Sequence, residues 1–329
     1  MFTYFKKHKL FLLTALLSVL ILSGCGNNSE TTKESDTSEG ETTPTTTEGY
    51  SIEHAMGTTE LEKTPEKIVI LTNEGTEALL AIGVKPVGAV QSWTGDPWYD
   101  HIENDMEGVT SVGMEGEPSL ETIASLEPDL IIGNKMRHEK IYEQLSAIAP
   151  TVFAEDLRGD WKKNFELYSK AVNKEEEGKQ VIQDFDNRVT DLQTKLGEQL
   201  QKEVSIVRFM AGDVRIYHKD TFSGVILDQI GFARPESQNV DDFAEKNVTK
   251  ERIPAMDGDI IFYFSYETGD GEATQLEEEW VNDPLFQNLS AVKAGNIHNV
   301  SDAIWNTAGG VIAANLMLDD IEKFFIEKN

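Results

Sequence analysis

Four broad aromatic side chains, Trp93, Trp98, Tyr217 and Trp305, fall beside turn signals where an apolar run gives way to a polar loop. Arg137 and Arg215 fall near similar breaks, and Arg208 sits inside an apolar run. The chemistry these types suit is non-covalent capture. Aromatic faces bury much apolar area, and a guanidinium grips oxygen anions through a bidentate fork. Each residue has a plainer role open to it: core packing for an aromatic, a surface ion pair for an arginine, a purely structural place for Arg208. His138, at a helix start, is equally a ligand donor or an exposed side chain.

Catalytic patterns are missing. The chain has no Gly-x-Ser-x-Gly elbow, no phosphate-cradling Gly-rich loop ending in Lys, and no His-Glu-x-x-His. A zinc or manganese site would need several His and carboxylate ligands converging on the ion. The histidines beyond the N-terminus, His54, His101, His138, His218 and His298, are scattered, with no His-rich loop. An enzyme is not expected.

The elements that must position these residues alternate strand and helix, the mark of an α/β fold. Strands are predicted at Lys67–Leu71, Pro86–Val90, Asp129–Gly133 and Thr151–Phe153, with helices at Thr76–Ile82, Ser119–Leu126 and Glu139–Ile148. The pattern restarts with strands at Val204–Phe209 and Val214–Tyr217 and a helix at Gly224–Ile230. Strands at Asp259–Phe264 and Ile297–Val300 follow, then a closing helix at Gly310–Phe325. Aromatics and arginines at strand ends lie where open α/β sheets hold their ligands. Between the halves, Val181, Phe185, Val189, Leu192, Leu196 and Leu200 recur at helical spacing within Lys174–Gln201. A helix of about 25 residues is ~37 Å long, enough to bridge two lobes.

The halves also share a local pattern. Ser119-Leu120-Glu121 and Thr249-Lys250-Glu251 each set a hydroxyl suited to N-capping two places before a Glu. Each precedes a strand opened by Asp, Asp129 in one half and Asp259 in the other. Two matching modules place Glu121 and Glu251 at equivalent points. Alone, each would simply favour its helix N-terminus; the duplication favours a shared docking role.

At the N-terminus, Lys6, Lys7 and Lys9 precede an apolar run, Leu10–Leu22, that is short for a bilayer span and reads as a signal-peptide core. Leu22-Ser23-Gly24-Cys25 resembles the lipobox of bacterial lipoproteins, and Cys25 is the chain's one cysteine. Residues Gly26–Gly49, rich in Thr, Ser, Glu, Gly and Asn, read as a flexible tether reaching ~25–30 Å. Net charge is −29, which argues against nucleic-acid binding and makes any basic residue in a cleft notable.

The segments Ser92–Tyr99, Asn134–Glu139, Arg208–Tyr217 and Ile304–Gly310 resemble those of siderophore- and cobalamin-binding receptors of ABC importers, specifically receptors for ferric hydroxamate or citrate-hydroxamate siderophores. The likeness covers essentially the whole body. It implies an α/β fold of two lobes with central sheets flanked by helices, joined by one long bridging helix, with a ligand cleft between them. The divisions expected are a signal peptide (1–24), a lipidated Cys25 with linker (25–49), a first lobe (50–173), the bridging helix (174–201) and a second lobe (202–329). It further implies ligand contacts from Trp93, Trp98, Arg137, His138, Arg208, Arg215, Tyr217, Trp305 and Asn306, and permease docking through Glu121 and Glu251. Iron would arrive inside its chelator, so no resident metal or cofactor is expected. The receptor would act as a monomer on the outer face of the cell membrane, anchored at Cys25. Its partners would be the iron–siderophore and the permease, with the membrane met through the lipid alone. Cobalamin or haem are alternative ligands within the same fold, and direct zinc or manganese binding is the more distant one.

Overall fold

The structure, a computed structural model, describes residues 49–157 and 159–327. The expected signal segment, Cys25 and the tether up to residue 48 lie outside the described residues.

Short apolar runs become strands buried on both faces, as parallel sheets require. Ile68–Ile70, Leu130–Asn134 and Thr151–Ala154 are buried at every position. With Gly88–Gln91 and Thr110–Met114 they form a parallel sheet, edged by the antiparallel Glu117–Pro118. The second sheet runs Ala244–Glu245, Asp213–Tyr217, Val204–Met210, Ile260–Tyr266, Ile297–Asn299. Val204–Met210 and Asp213–Tyr217 pair as an antiparallel hairpin, while Ile260–Tyr266 is parallel to both its neighbours. A separate hairpin, Tyr50–His54 with Gly57–Leu61, precedes the first sheet.

The long helix spans Glu175–Leu196 and continues as a 3-10 segment, Gly197–Gln201. Gly197, at φ 51°, is where the α-helical run stops. Phe185, Val189, Leu192 and Leu196 are buried as the stripe requires, with Val181 and Leu200 half-buried at its ends. This helix packs on Trp161–Ala171 from the first half and on Phe222–Ile230 and Val311–Glu322 from the second. The closing helix Val311–Glu322 also lies against Asn73–Ala81 of the first half. A Cβ on Gly310 would stand 2.6 Å from the Cβ of Glu77, so glycine permits that approach. The largest buried cluster therefore joins Ile70 and Leu130, Phe185 and Leu192, and Ile206 and Phe262 in one core.

Several expectations change on contact with the structure. The helix expected at Glu139–Ile148 is three pieces, Lys135–His138, a 3-10 turn Glu139–Ile141 and Tyr142–Ser146. It begins earlier because the Asn134 side chain caps it, accepting from the Met136 amide at 2.8 Å. The two Glu modules also differ. Ser119 caps an α-helix, Leu120–Ser125, through the Thr122 amide at 3.2 Å. Lys250–Met256 is a 3-10 helix that contains Pro254, and the Thr249 side chain caps no amide. The helix Trp161–Ala171 was not foreseen, although Trp161, Phe165 and Tyr168 recur at helical spacing and are buried.

Candidate functional site

A cleft of about 390 Å³ opens beside the C-terminal ends of the parallel strands of both sheets. From the first half it is lined by residues that follow strands: Glu74 after Ile68–Ile70, Trp93 after Gly88–Gln91, Glu115 after Thr110–Met114, and Met136 and Arg137 after Leu130–Asn134. The second half contributes Arg208 and Met210 from one strand, Arg215 from its hairpin partner, and Tyr266 from the end of Ile260–Tyr266. Phe243, Lys246 and the segment Asn306–Gly309 complete that side.

The cations are held individually. Arg137 donates from Nε to Glu115 Oε1 at 3.2 Å and lies 5.9 Å from the Trp93 ring centroid, its side chain 43% exposed. Glu115 is fixed in turn by the Asn73 amide at 3.1 Å and the Asn73 side chain at 3.0 Å. Arg208 grips Asp302 with two N–H groups, Nε at 2.7 Å and Nη2 at 3.1 Å, and donates to the Tyr217 hydroxyl at 3.1 Å. Its guanidinium lies 4.9 Å from the Tyr266 ring centroid. Arg215 donates to Asp213 at 2.6 Å. Arg208 and Arg215 are direct cross-strand partners and both line the cleft. Like charges so placed repel. Asp302 and Asp213 offset that repulsion, and an anion in the cleft would offset more of it.

Trp93, Arg137, Arg208, Arg215 and Asn306 thus line the cleft together. The other four candidates stand behind it. His138 is buried: Nε2 donates to the Glu115 carbonyl at 2.8 Å and Nδ1 accepts from the Asn134 amide at 3.1 Å. Burial pushes its pKa down, so the neutral ring holds the Glu115 segment in place. Tyr217 is buried and supports Arg208. Trp305 is wholly buried, donates to Asp320 at 2.8 Å, and lies 4.5 Å from the Phe262 ring centroid. Trp98 is buried in the core of the first half. Glu121 and Glu251 are exposed, far from being packed into either sheet. The Thr249 hydroxyl's hydrogen bond holds the Glu251 carboxyl below the usual range.

Sequence reasoning missed Glu74, Glu115, Lys246 and Tyr266. Tyr266 lies two residues past the expected strand end, and its hydroxyl donates across the cleft to the Trp93 carbonyl at 3.4 Å. Glu74 carried a readable signal, a carboxylate in the first turn of a helix that directly follows a buried strand. Among the described residues, no group of three or more His, Cys, Asp and Glu side chains gathers as a metal site.

Residues 68–302 match the family described as periplasmic binding protein. The chain is 53% identical, over 98% of its length and 99% of the relative, to the "Probable siderophore-binding lipoprotein YfiY" of Bacillus subtilis. It is 31% identical to the achromobactin-binding periplasmic protein of Dickeya dadantii, over 79% of this chain and 86% of that one. Among solved structures, Staphylococcus aureus SirA complexed with staphyloferrin B superposes with a TM-score of 0.78 at 35% identity, over 84% of this chain and 98% of that one.

Proposed function

Because the chain belongs to the periplasmic binding protein family, we propose that it is an extracytoplasmic receptor that captures a ferric siderophore and delivers it to an ABC permease. The observation that carries this reading is the cleft's cations: Arg137 from one half, and the cross-strand pair Arg208 and Arg215 from the other. They gather in a chain whose net charge is −29, so the overall field does not account for them. The likeness to a relative crystallised with staphyloferrin B supports the same ligand class.

Of the two chelate types expected, citrate-hydroxamate fits better than hydroxamate alone. A full set of hydroxamates cancels the ferric charge and leaves the guanidinium groups little to neutralise. A citrate arm keeps anionic oxygens for bidentate recognition. Trp93, Tyr266 and Phe243 supply apolar faces for the rest of the chelate. Tyr217 acts from behind by holding Arg208, and His138 by holding the Glu115 segment, while Trp98 and Trp305 belong to the core. No catalysis is part of this reading.

The finer parts of the reading follow the sequence. Cys25 anchors the receptor to the membrane, residues 26–49 tether it, and it works as a monomer. Lobes 50–173 and 202–329 present Glu121 and Glu251, one each, to basic residues of the permease. The exposure of both carboxylates supports this.

Native mass spectrometry of the mature protein against ferric and iron-free siderophores, cobalamin, haem and zinc tests the proposal. A ferric citrate-hydroxamate chelate is expected to be retained, and its iron-free form much less so. Retention of cobalamin, haem or bare zinc with no ferric chelate would overturn it.

A further inference from the structure

Three carboxyl groups lie buried in the first half beside the cleft, and their partners differ. Glu77 accepts from the Ala313 amide at 2.9 Å and pairs with His101 at 2.6 Å. Glu115 accepts from the Asn73 amide, the Asn73 side chain and Arg137. Glu74 has only a neutral partner, the Asn164 amide, at 3.2 Å from Oε2. Its Oε1 is buried with no hydrogen-bond partner. Yet Glu74, 5% exposed, lines the cavity itself.

A buried carboxylate with one empty oxygen and no cation is costly, and such a group takes a proton instead. Its surroundings act the same way. Burial first, then the carboxylates of Glu115, Glu77 and Asp156, hold the Glu74 carboxyl well above the usual range, against the Asn164 hydrogen bond. The nearby cations are engaged elsewhere. His101 serves Glu77, Arg137 serves Glu115, Arg208 serves Asp302, and Arg215 serves Asp213. Lys246 lies over the Phe243 ring, 5.2 Å from its centroid. Tyr168, on the helix that carries Asn164, is a phenol pushed up by burial and so is neutral.

We infer that Glu74 is a specificity-determining residue of this cleft: uncharged, it lets an anionic chelate settle over a floor flanked by carboxylates, and ionised it turns that chelate away. The inference rests on the proposed function. Its sign follows from linkage. A bound anion disfavours ionised Glu74, so the loaded protein keeps the proton to higher pH than the free protein. Affinity is therefore full at low pH and falls as pH rises through the free protein's value, by at most about tenfold per pH unit for one proton.

The test is fluorescence titration of the mature protein with ferric staphyloferrin B and with ferric citrate, from about pH 5, just above the usual carboxylate range, upward to about pH 10, for wild type and Glu74→Gln. Titration of the chelate itself is common to both proteins and cancels in their ratio. The wild-type affinity relative to Glu74→Gln is expected to fall by tenfold or more across the range. Infrared difference spectra of the free proteins at neutral pH should show a protonated-carboxyl band in wild type that Glu74→Gln lacks. Parallel pH profiles, or no such band, overturn the inference and leave the receptor reading intact. Binding of no ferric chelate at any pH overturns both. If Glu74→Gln does not fold, carboxyl carbon shifts of glutamate-labelled wild type decide. One glutamate still protonated at neutral pH, and to higher pH when loaded, supports the inference; all glutamates ionised at neutral pH overturn it.

Discussion

Arg137 and Arg215 each hold one carboxylate and still border the cleft, which makes them the clearest test of ligand contact. Truncating a charged group that pairs with ligand oxygen costs about 2–5 kcal/mol, roughly thirtyfold or more in affinity. Arg137→Ala and Arg215→Ala are therefore expected to weaken ferric siderophore binding by that much, with melting temperatures near wild type. Fluorescence titration beside thermal unfolding checks this, and Trp305→Phe should reverse the pattern. It loses the bond to Asp320 inside the core, so melting temperature falls while affinity holds. His138 makes a pH prediction. Its folded pKa is depressed by burial, so the unfolded chain binds the proton first as pH drops. Stability present above about pH 6.5 should be lost as pH falls toward the folded value. Denaturant midpoints measured across that window should fall less steeply for His138→Gln than for wild type. Arg208 and Arg215 were legible in the sequence because charge in an apolar strand is conspicuous. The burial of Trp305 and Tyr217 was not legible, since an aromatic beside a turn reads alike whether it faces ligand or core.

The long helix is the element read most fully from sequence, because a stripe of apolar residues at steps of three and four dictates both its type and its buried face. One contact at its start carries no such pattern. A Cβ at Gly178 would stand 2.3 Å from the Ser169 hydroxyl and 2.6 Å from its Cβ, where Trp161–Ala171 crosses. Overpacking of this kind typically costs about 1–3 kcal/mol. Gly178→Ala should lower stability by that amount in chemical unfolding, and adding Ser169→Gly should recover much of it. The Glu modules show the opposite limit. Their matching spacing was visible, but spacing alone did not distinguish an α-helix capped by Ser119 from a 3-10 helix containing Pro254. Proline removes an amide donor and resists continuation as an α-helix, so the second copy takes the tighter form.

For the whole molecule, Glu121 and Glu251 are exposed points on the two halves, away from the cleft lining. The double variant Glu121→Ala with Glu251→Ala is expected to nearly abolish cellular uptake of radiolabelled ferric siderophore. The purified protein should keep its ligand affinity within a few-fold, since rim charges govern association with a partner. Uptake equal to wild type would remove the docking assignment. Alternation of strand and helix made the two sheets legible, but not the shared core beneath them, because no local pattern reports which helices will meet across the chain. The Glu77 carboxylate meets the Ala313 amide across 236 residues of sequence. The helix Asn73–Ala81 therefore lacks one of its packing partners until Val311–Glu322 docks. Contacts so distant along the chain form late and slow folding, because a long loop must close before they contribute. An intermediate in which that loop is still open has both sheets but not this contact between the two halves.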